Sequence, residues 1–175
     1  RCCHMENIIS RDYTILTSLC DAGGRLGVRN VFDIFMDMAA YHAAHLGVGY
    51  YDMLRRGCFW VAVRTRVRLY KLPAMGETFT AVTWPGRPGL AKSDRFYRLE
   101  AEGKAIAEGR TEWAVQDIET GAVRRADSYG YPRELVPREE KVCDEPFTRF
   151  RDMDTKAEQP VLMHTVGSAD IDVGR

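Results

Sequence analysis

Neither sign of charge predominates in this sequence: Lys and Arg number 25, as do Asp and Glu. A chain without net charge has no global field to draw in nucleic acid or an anionic membrane. No uninterrupted apolar run reaches the roughly 18 residues that a membrane helix needs. The five cysteines (Cys2, Cys3, Cys20, Cys58 and Cys143) are odd in number and lack metal-ligand spacing. With no secretory signal pattern at the N-terminus, a reduced, cytoplasmic setting is expected, with neither disulfides nor a structural metal.

The richest apolar stretch is Asn30 to Leu46, NVFDIFMDMAAYHAAHL. Asn30 suits an N-cap, Asp33 complements the positive end of the helix, and Gly47 suits a left-handed stop. The polar residues Asp33, Asp37, Tyr41 and His45 form one narrow stripe. Phe32, Ile34, Phe35, Met36, Met38 and four alanines fill the rest, so the helix is expected to be buried nearly all round. At about 1.5 Å per residue it would span roughly 25 Å, the width of a small domain. A first strand over Arg11–Leu19 and a Gly-rich turn precede it, and a short second helix over Tyr50–Arg56 follows.

From Phe59 the period changes to two. Phe59, Val61, Val63, Thr65, Val67 and Leu69 fall on one face, and Trp60, Ala62, Arg64, Arg66 and Arg68 on the other. That alternation predicts an antiparallel strand with one wet face. Further strands are predicted over Thr78–Trp84, Ser93–Ala101 and Ala105–Gln116, with Pro85–Gly89 breaking the run and a short fifth piece over Ala122–Arg125. The faces carrying Val61 and Trp113 are expected to pack on the helix.

Residues 132–160 hold four prolines and many charges and read as an interdomain linker. Residues 161–175 then begin a new strand. Its Asp-Val-Gly-Arg ending resembles Asp21–Arg25, a weak sign of a second copy beginning. Met5 reads as the natural start, and the chain is expected to be a fragment.

Lys71-Leu72-Pro73-Ala74-Met75-Gly76-Glu77-Thr78 with Thr83-Trp84, preceded by Trp60-Val61 and followed by Thr111-Glu112-Trp113, resembles the acyl-acyl carrier protein (acyl-ACP) thioesterases. The likeness runs over nearly the whole chain. It implies an α+β hotdog fold, a long helix wrapped by a curved antiparallel sheet, with residues 5–131 as the first of two hotdogs. It implies hydrolysis of a fatty acyl-ACP thioester in fatty acid biosynthesis, without metal or organic cofactor. Acyl carrier protein is the implied partner, nucleic acid and membrane are not, and a homodimer stays open. The family's catalytic motif, Asp-x-Asn-x-His followed by Val-Asn-Asn, belongs to the second hotdog. Asp172 matches its Asp, Gly174 stands where Asn is usual, and the His would come after Arg175. The fragment alone is therefore expected to be inactive.

Each candidate has a plainer reading. Asp172 orients or activates water under the resemblance; otherwise Asp170 and Asp172 cap a turn. Phe35, Met36, Ala39, Ala43, Trp60 and Trp113 line an acyl slot or simply fill the core. Arg64, Arg66, Arg68 and Lys71 dock the acidic carrier protein or face water as a solvated sheet surface. Asp21 and Arg25 mark the corresponding place in the first repeat, read as catalytically empty. His42 and His45 read as core or rim histidines, and Cys20 and Cys58 as small hydrophobes. The alternative activities are an acyl-CoA thioesterase of the hotdog class and a non-catalytic acyl-binding module.

Overall fold

The computed structural model describes residues 7–125, 128–132 and 135–147. Those up to Asp144 form one compact unit, and Glu145 begins another. In chain order the elements are β1 (Ile9–Thr14), α1 (Val28–His45), α2 (Tyr50–Arg55), β2 (Cys58–Leu69), β3 (Thr78–Pro88), β4 (Lys92–Ala101), β5 (Lys104–Asp117) and β6 (Val123–Arg124). The strands make one antiparallel sheet in the order β1-β3-β4-β5-β2, with β6 added to β5. This large sheet carrying one long helix is a hotdog fold.

Helix α1 begins earlier than its composition suggests. Its N-cap is Gly27, and Asn30 lies within the first turn, where its side-chain amide donates to Ser18 O (3.2 Å). A tertiary partner has taken the side chain that would otherwise have capped the helix. The stop is as expected: Gly47 has φ of 68°, and Gly47 N–H and Val48 N–H donate to Ala44 O and Ala43 O, closing a Schellman turn. The helix is not buried all round. Val31, Ile34, Phe35, Met38, Ala39 and His42 are buried, whereas Phe32, Asp33, Asp37, Ala40 and Tyr41 are exposed.

Three sheet features depart from simple alternation. The first strand is shorter than its sequence pattern, because the chain leaves the ladder at Thr14 and turns through a 3-10 segment at Thr17–Leu19. On β2 a bulge between Ala62 and Arg64 exchanges the two faces. Trp60 and Ala62 share the helix-facing side with their partners Val115 and Trp113, and beyond the bulge Thr65 and Val67 take over that side opposite Thr111 and Gly109. Val61 thus points away from the helix, contrary to the alternation. Strand β3 also runs on through Pro85 to Pro88. Its pairing with β1 ends at Thr83, so no described strand flanks these prolines on that side, and the β4 register slips between them.

The helix meets the sheet where β5 places Gly109. A methyl there would lie 2.2 Å from Phe35 Cε2, while Phe35 stacks on Tyr97 with ring centroids 4.5 Å apart. Only a residue without Cβ lets the helix approach this closely. On the outer side of the sheet, residues 136–144 form a strap. Val142 packs with Trp84 and Phe96, the Trp84 indole donates to Glu140 O (2.8 Å), and Arg98 Nη2 donates to Glu140 Oε1 (2.5 Å). The first part of the Pro-rich stretch is thereby held on the sheet.

Gly109→Ala is expected to lower stability by about 1–3 kcal/mol through overpacking against Phe35. Denaturant midpoints measure this, and adding Phe35→Leu to Gly109→Ala is expected to recover part of the loss. An unchanged midpoint for Gly109→Ala would contradict this packing.

Candidate functional site

Beneath the C-terminal half of α1 the apolar layer is interrupted by a polar cluster. Its scaffold is the inward row of β4, in which Ser93, Arg95, Tyr97 and Leu99 alternate with outward Asp94, Phe96, Arg98 and Glu100. Arg95, Thr83, Thr111 and His42 are all buried. Arg95 Nη1 lies 3.0 Å from His42 Nδ1 and 3.4 Å from Thr83 Oγ1, which in turn donates to Phe96 O (2.9 Å). Arginine has only donors, so Nδ1 of His42 is the acceptor and the proton of the neutral ring sits on Nε2. Thr111 Oγ1 bonds Thr65 Oγ1 (3.0 Å).

Next to this pair the Tyr97 hydroxyl faces the Trp113 indole N–H and the Thr111 hydroxyl. Neither Tyr97 Oη nor Trp113 Nε1 closes a bond of good geometry. Burial pushes the Tyr97 phenol up, against the opposing pull of the Arg95 charge. The same desolvation lowers the Arg95 guanidinium, with the Tyr97 and Tyr131 phenols as its titratable neighbours. An aromatic wall adjoins the cluster: Trp60 meets Trp113 and Tyr129 edge-on (6.3 and 5.3 Å), and Tyr129 meets Tyr131 at 6.3 Å. Burial drives Tyr129 up to about 12. Trp60 is fixed by its indole bond to Val48 O (2.9 Å).

The six residues expected to line an acyl slot fall on this helix–sheet layer in two groups. Phe35 and Ala39 are buried in the main core, with Met36 and Trp113 packed against it. Ala43 and Trp60 pack on a second cluster around Leu46, Val48, Met53 and Val115. The edge-on Trp60–Trp113 contact joins the two groups. His42 lies in the layer, whereas exposed His45 bonds Tyr41 O (2.8 Å). Buried Cys58 has its thiol pushed up by desolvation, the opposite of an activated nucleophile. Asp21 accepts the backbone N–H groups of Gly23 and Arg25 in a tight turn, a structural role. Asp172, Asp170 and Gly174 lie outside the described residues.

The candidate docking residues Arg64, Arg66 and Arg68 project from the outer face, and exposed Lys71 follows the strand. Carboxylates interleave with them. Glu112 binds both Arg64 (2.9 Å) and Lys92 (2.7 Å), Arg98 binds Glu108 (3.0 Å), and Lys71 lies 4.0 Å from Glu77. Among the described residues no group of three or more His, Cys, Asp or Glu is placed to hold a metal ion, and no helix is long and apolar enough to cross a membrane.

Sequence reasoning overlooked Arg95. It lies two residues before Tyr97 and four before Leu99, on the row that the fold turns inward.

Comparison with known proteins places this geometry among relatives. Residues 6–128 match the family model described as the acyl-ACP thioesterase N-terminal domain. The structure of an acyl-ACP thioesterase from Bacteroides thetaiotaomicron superposes with a TM-score of 0.80 at 23% identity, over 95% of this chain and 67% of that one. The 12:0-ACP thioesterase from Umbellularia californica gives 0.71 at 17%, over 84% of this chain and 62% of that one. DHNA-CoA thioesterase from Staphylococcus aureus gives 0.63 at 21%, over 70% of this chain and 83% of that one. No curated protein matches in sequence.

The Arg98–Glu140 pair gives a pH test. The hydrogen bond from Arg98 holds the Glu140 carboxyl below the ordinary range. Its stabilisation is then complete above the unfolded-state pKa and is lost as pH falls through the lower folded value. Wild type minus Glu140→Gln, compared by urea midpoints, is expected to stay constant above about pH 5–6 and to shrink on further acidification. A difference that grows in acid would exclude the pairing.

Proposed function

The chain belongs to the acyl-ACP thioesterase family through its N-terminal domain, and on that premise we propose that its protein hydrolyses the thioester of fatty acyl-ACP. The observation that carries this reading is the family match over residues 6–128, which spans the helix–sheet layer holding Phe35, Ala39 and Trp113. Thioesterase function is supported at the level of family and fold; the carrier-protein substrate is the finer proposal.

In the proposed reaction water adds to the thioester carbonyl, the C–S bond breaks, the thiol leaves with a proton, and a fatty acid is released. The first hotdog, residues 5–131, supplies much of the acyl slot through Phe35, Met36, Ala39, Ala43, Trp60 and Trp113. Residues 132–160 connect to a second hotdog beginning at 161–175, where Asp172 orients or activates water. Arg64, Arg66, Arg68 and Lys71 meet the acidic carrier protein, although Glu112 and Glu77 reduce their net charge. A reduced cytoplasmic setting and a role in making fatty acids accompany this reading. The similarity to the fold of DHNA-CoA thioesterase favours, as a second reading, an acyl-CoA substrate.

Hydrolysis of matched acyl-ACP and acyl-CoA by a protein carrying both hotdogs tests the proposal. The expected result is a kcat/KM at least tenfold higher for the ACP thioester. Asp172→Asn is expected to lower kcat by about 10²-fold or more. The 175-residue chain alone is expected to give no turnover above spontaneous hydrolysis. Equal or better use of the CoA thioester would exclude the ACP preference, and substantial turnover by the short chain would exclude placing the chemistry in the second hotdog.

A further inference from the structure

A buried guanidinium ordinarily has a carboxylate beside it, because removing a cation from water costs several kcal/mol unless it is compensated. Arg95 keeps only 8% of its surface exposed. Its hydrogen bonds go to neutral acceptors, His42 Nδ1 and Thr83 Oγ1, and no carboxylate among the described residues pairs with it. Two further buried polar groups stand next to it, the Tyr97 hydroxyl and the Trp113 indole N–H, which face each other without closing a hydrogen bond of good geometry. Tyr97 has no exposed surface at all. Each of these three side chains can donate a hydrogen bond, and what the cluster lacks is a negatively charged acceptor.

We propose that the Arg95 cluster binds the carboxylate of a free fatty acid and so recognises the product of thioester hydrolysis rather than its substrate. The discrimination is electrostatic. A thioester is neutral and leaves the Arg95 charge uncompensated, whereas the released acid cancels it. A planar guanidinium suits a carboxylate, which can take two of its N–H groups at once. Tyr97 and Trp113 stand ready to donate to the same headgroup.

The neighbours of the cluster suit a chain rather than a short acid. Phe35 stacks on Tyr97, Trp113 faces it, and Ala39 lies one helical turn before His42. Arg95 keeps 8% of its surface exposed, whereas Tyr97, Thr83 and Thr111 keep none. Occupation by product would compete with the next acyl chain for the same layer, which makes the released acid an inhibitor. The identification of the chain as fatty acyl rests on the thioesterase reading, whereas carboxylate binding by Arg95 does not.

The test titrates the 175-residue chain with decanoate, decanol and acetate below micellar concentrations, reading tryptophan fluorescence and Tm. Decanoate is expected to saturate and to raise Tm, because a ligand that binds only the folded state stabilises it. Decanol and acetate are each expected to bind at least tenfold more weakly. Arg95→Met is expected to fold, since it removes a buried charge without a counter-ion, and to bind decanoate at least tenfold more weakly. Tyr97→Phe, which keeps the ring stacked on Phe35, is expected to weaken binding several-fold and serves if Arg95→Met does not fold. Equal binding of decanol and decanoate, acetate matching decanoate, or variants of undiminished affinity would overturn the proposal. Decanoate binding without acyl-ACP hydrolysis by the two-hotdog protein would remove the thioesterase reading and keep the carboxylate site; hydrolysis without decanoate binding would do the reverse.

Discussion

The closeness of α1 to its sheet rests on one contact, the Phe35 ring lying on Tyr97 over the space left by Gly109. It sets how deeply the helix sits, and with it which side chains share the intervening layer. Two turns further on, the same depth brings His42 within reach of Arg95. Protein interiors are packed as densely as organic crystals, so a change of one methyl group at Gly109 must move the helix or the ring. The acyl-slot candidates and the polar cluster both depend on that spacing.

Much of the architecture was legible because its signals are local. Gly47 stopped the helix in a left-handed turn as read, and the four longest strands lie close to the stretches that alternate. What was missed came from tertiary competition. Asn30 has the chemistry of a cap but spends its side chain on Ser18 O, and the helix begins at Val28. Trp60 appeared to lie on the wet face because a single extra residue at the bulge reverses parity, and period-two reasoning has no means of detecting one. Pro85 would break an interior strand, yet β1 has ended by then and no described strand pairs with the proline on that side.

The candidate site divides along the same line. Apolar lining residues such as Phe35 and Ala39 follow from helical periodicity. Arg95 does not, because both rows of β4 contain an arginine and a large aromatic, and composition alone cannot say which row faces inward. Arg98 went outward to Glu108 and Glu140, and Arg95 inward to His42. The outer face shows the complementary effect. A strand carrying three arginines suggested a cationic surface, but the neighbouring strand β5 contributes Glu108 and Glu112 to the same face. Charge read along one strand gives only half of what a sheet surface displays.

The strap at 136–144 bears on how a two-hotdog chain would be strung. Its grip through Trp84, Arg98 and Val142 means that the chain leaves this unit near Asp144 rather than at Pro132. The proposed connector over residues 132–160 therefore begins as part of this unit's outer surface. Glu140 and Trp84, 56 positions apart in sequence, fix by one hydrogen bond where the chain departs from the sheet.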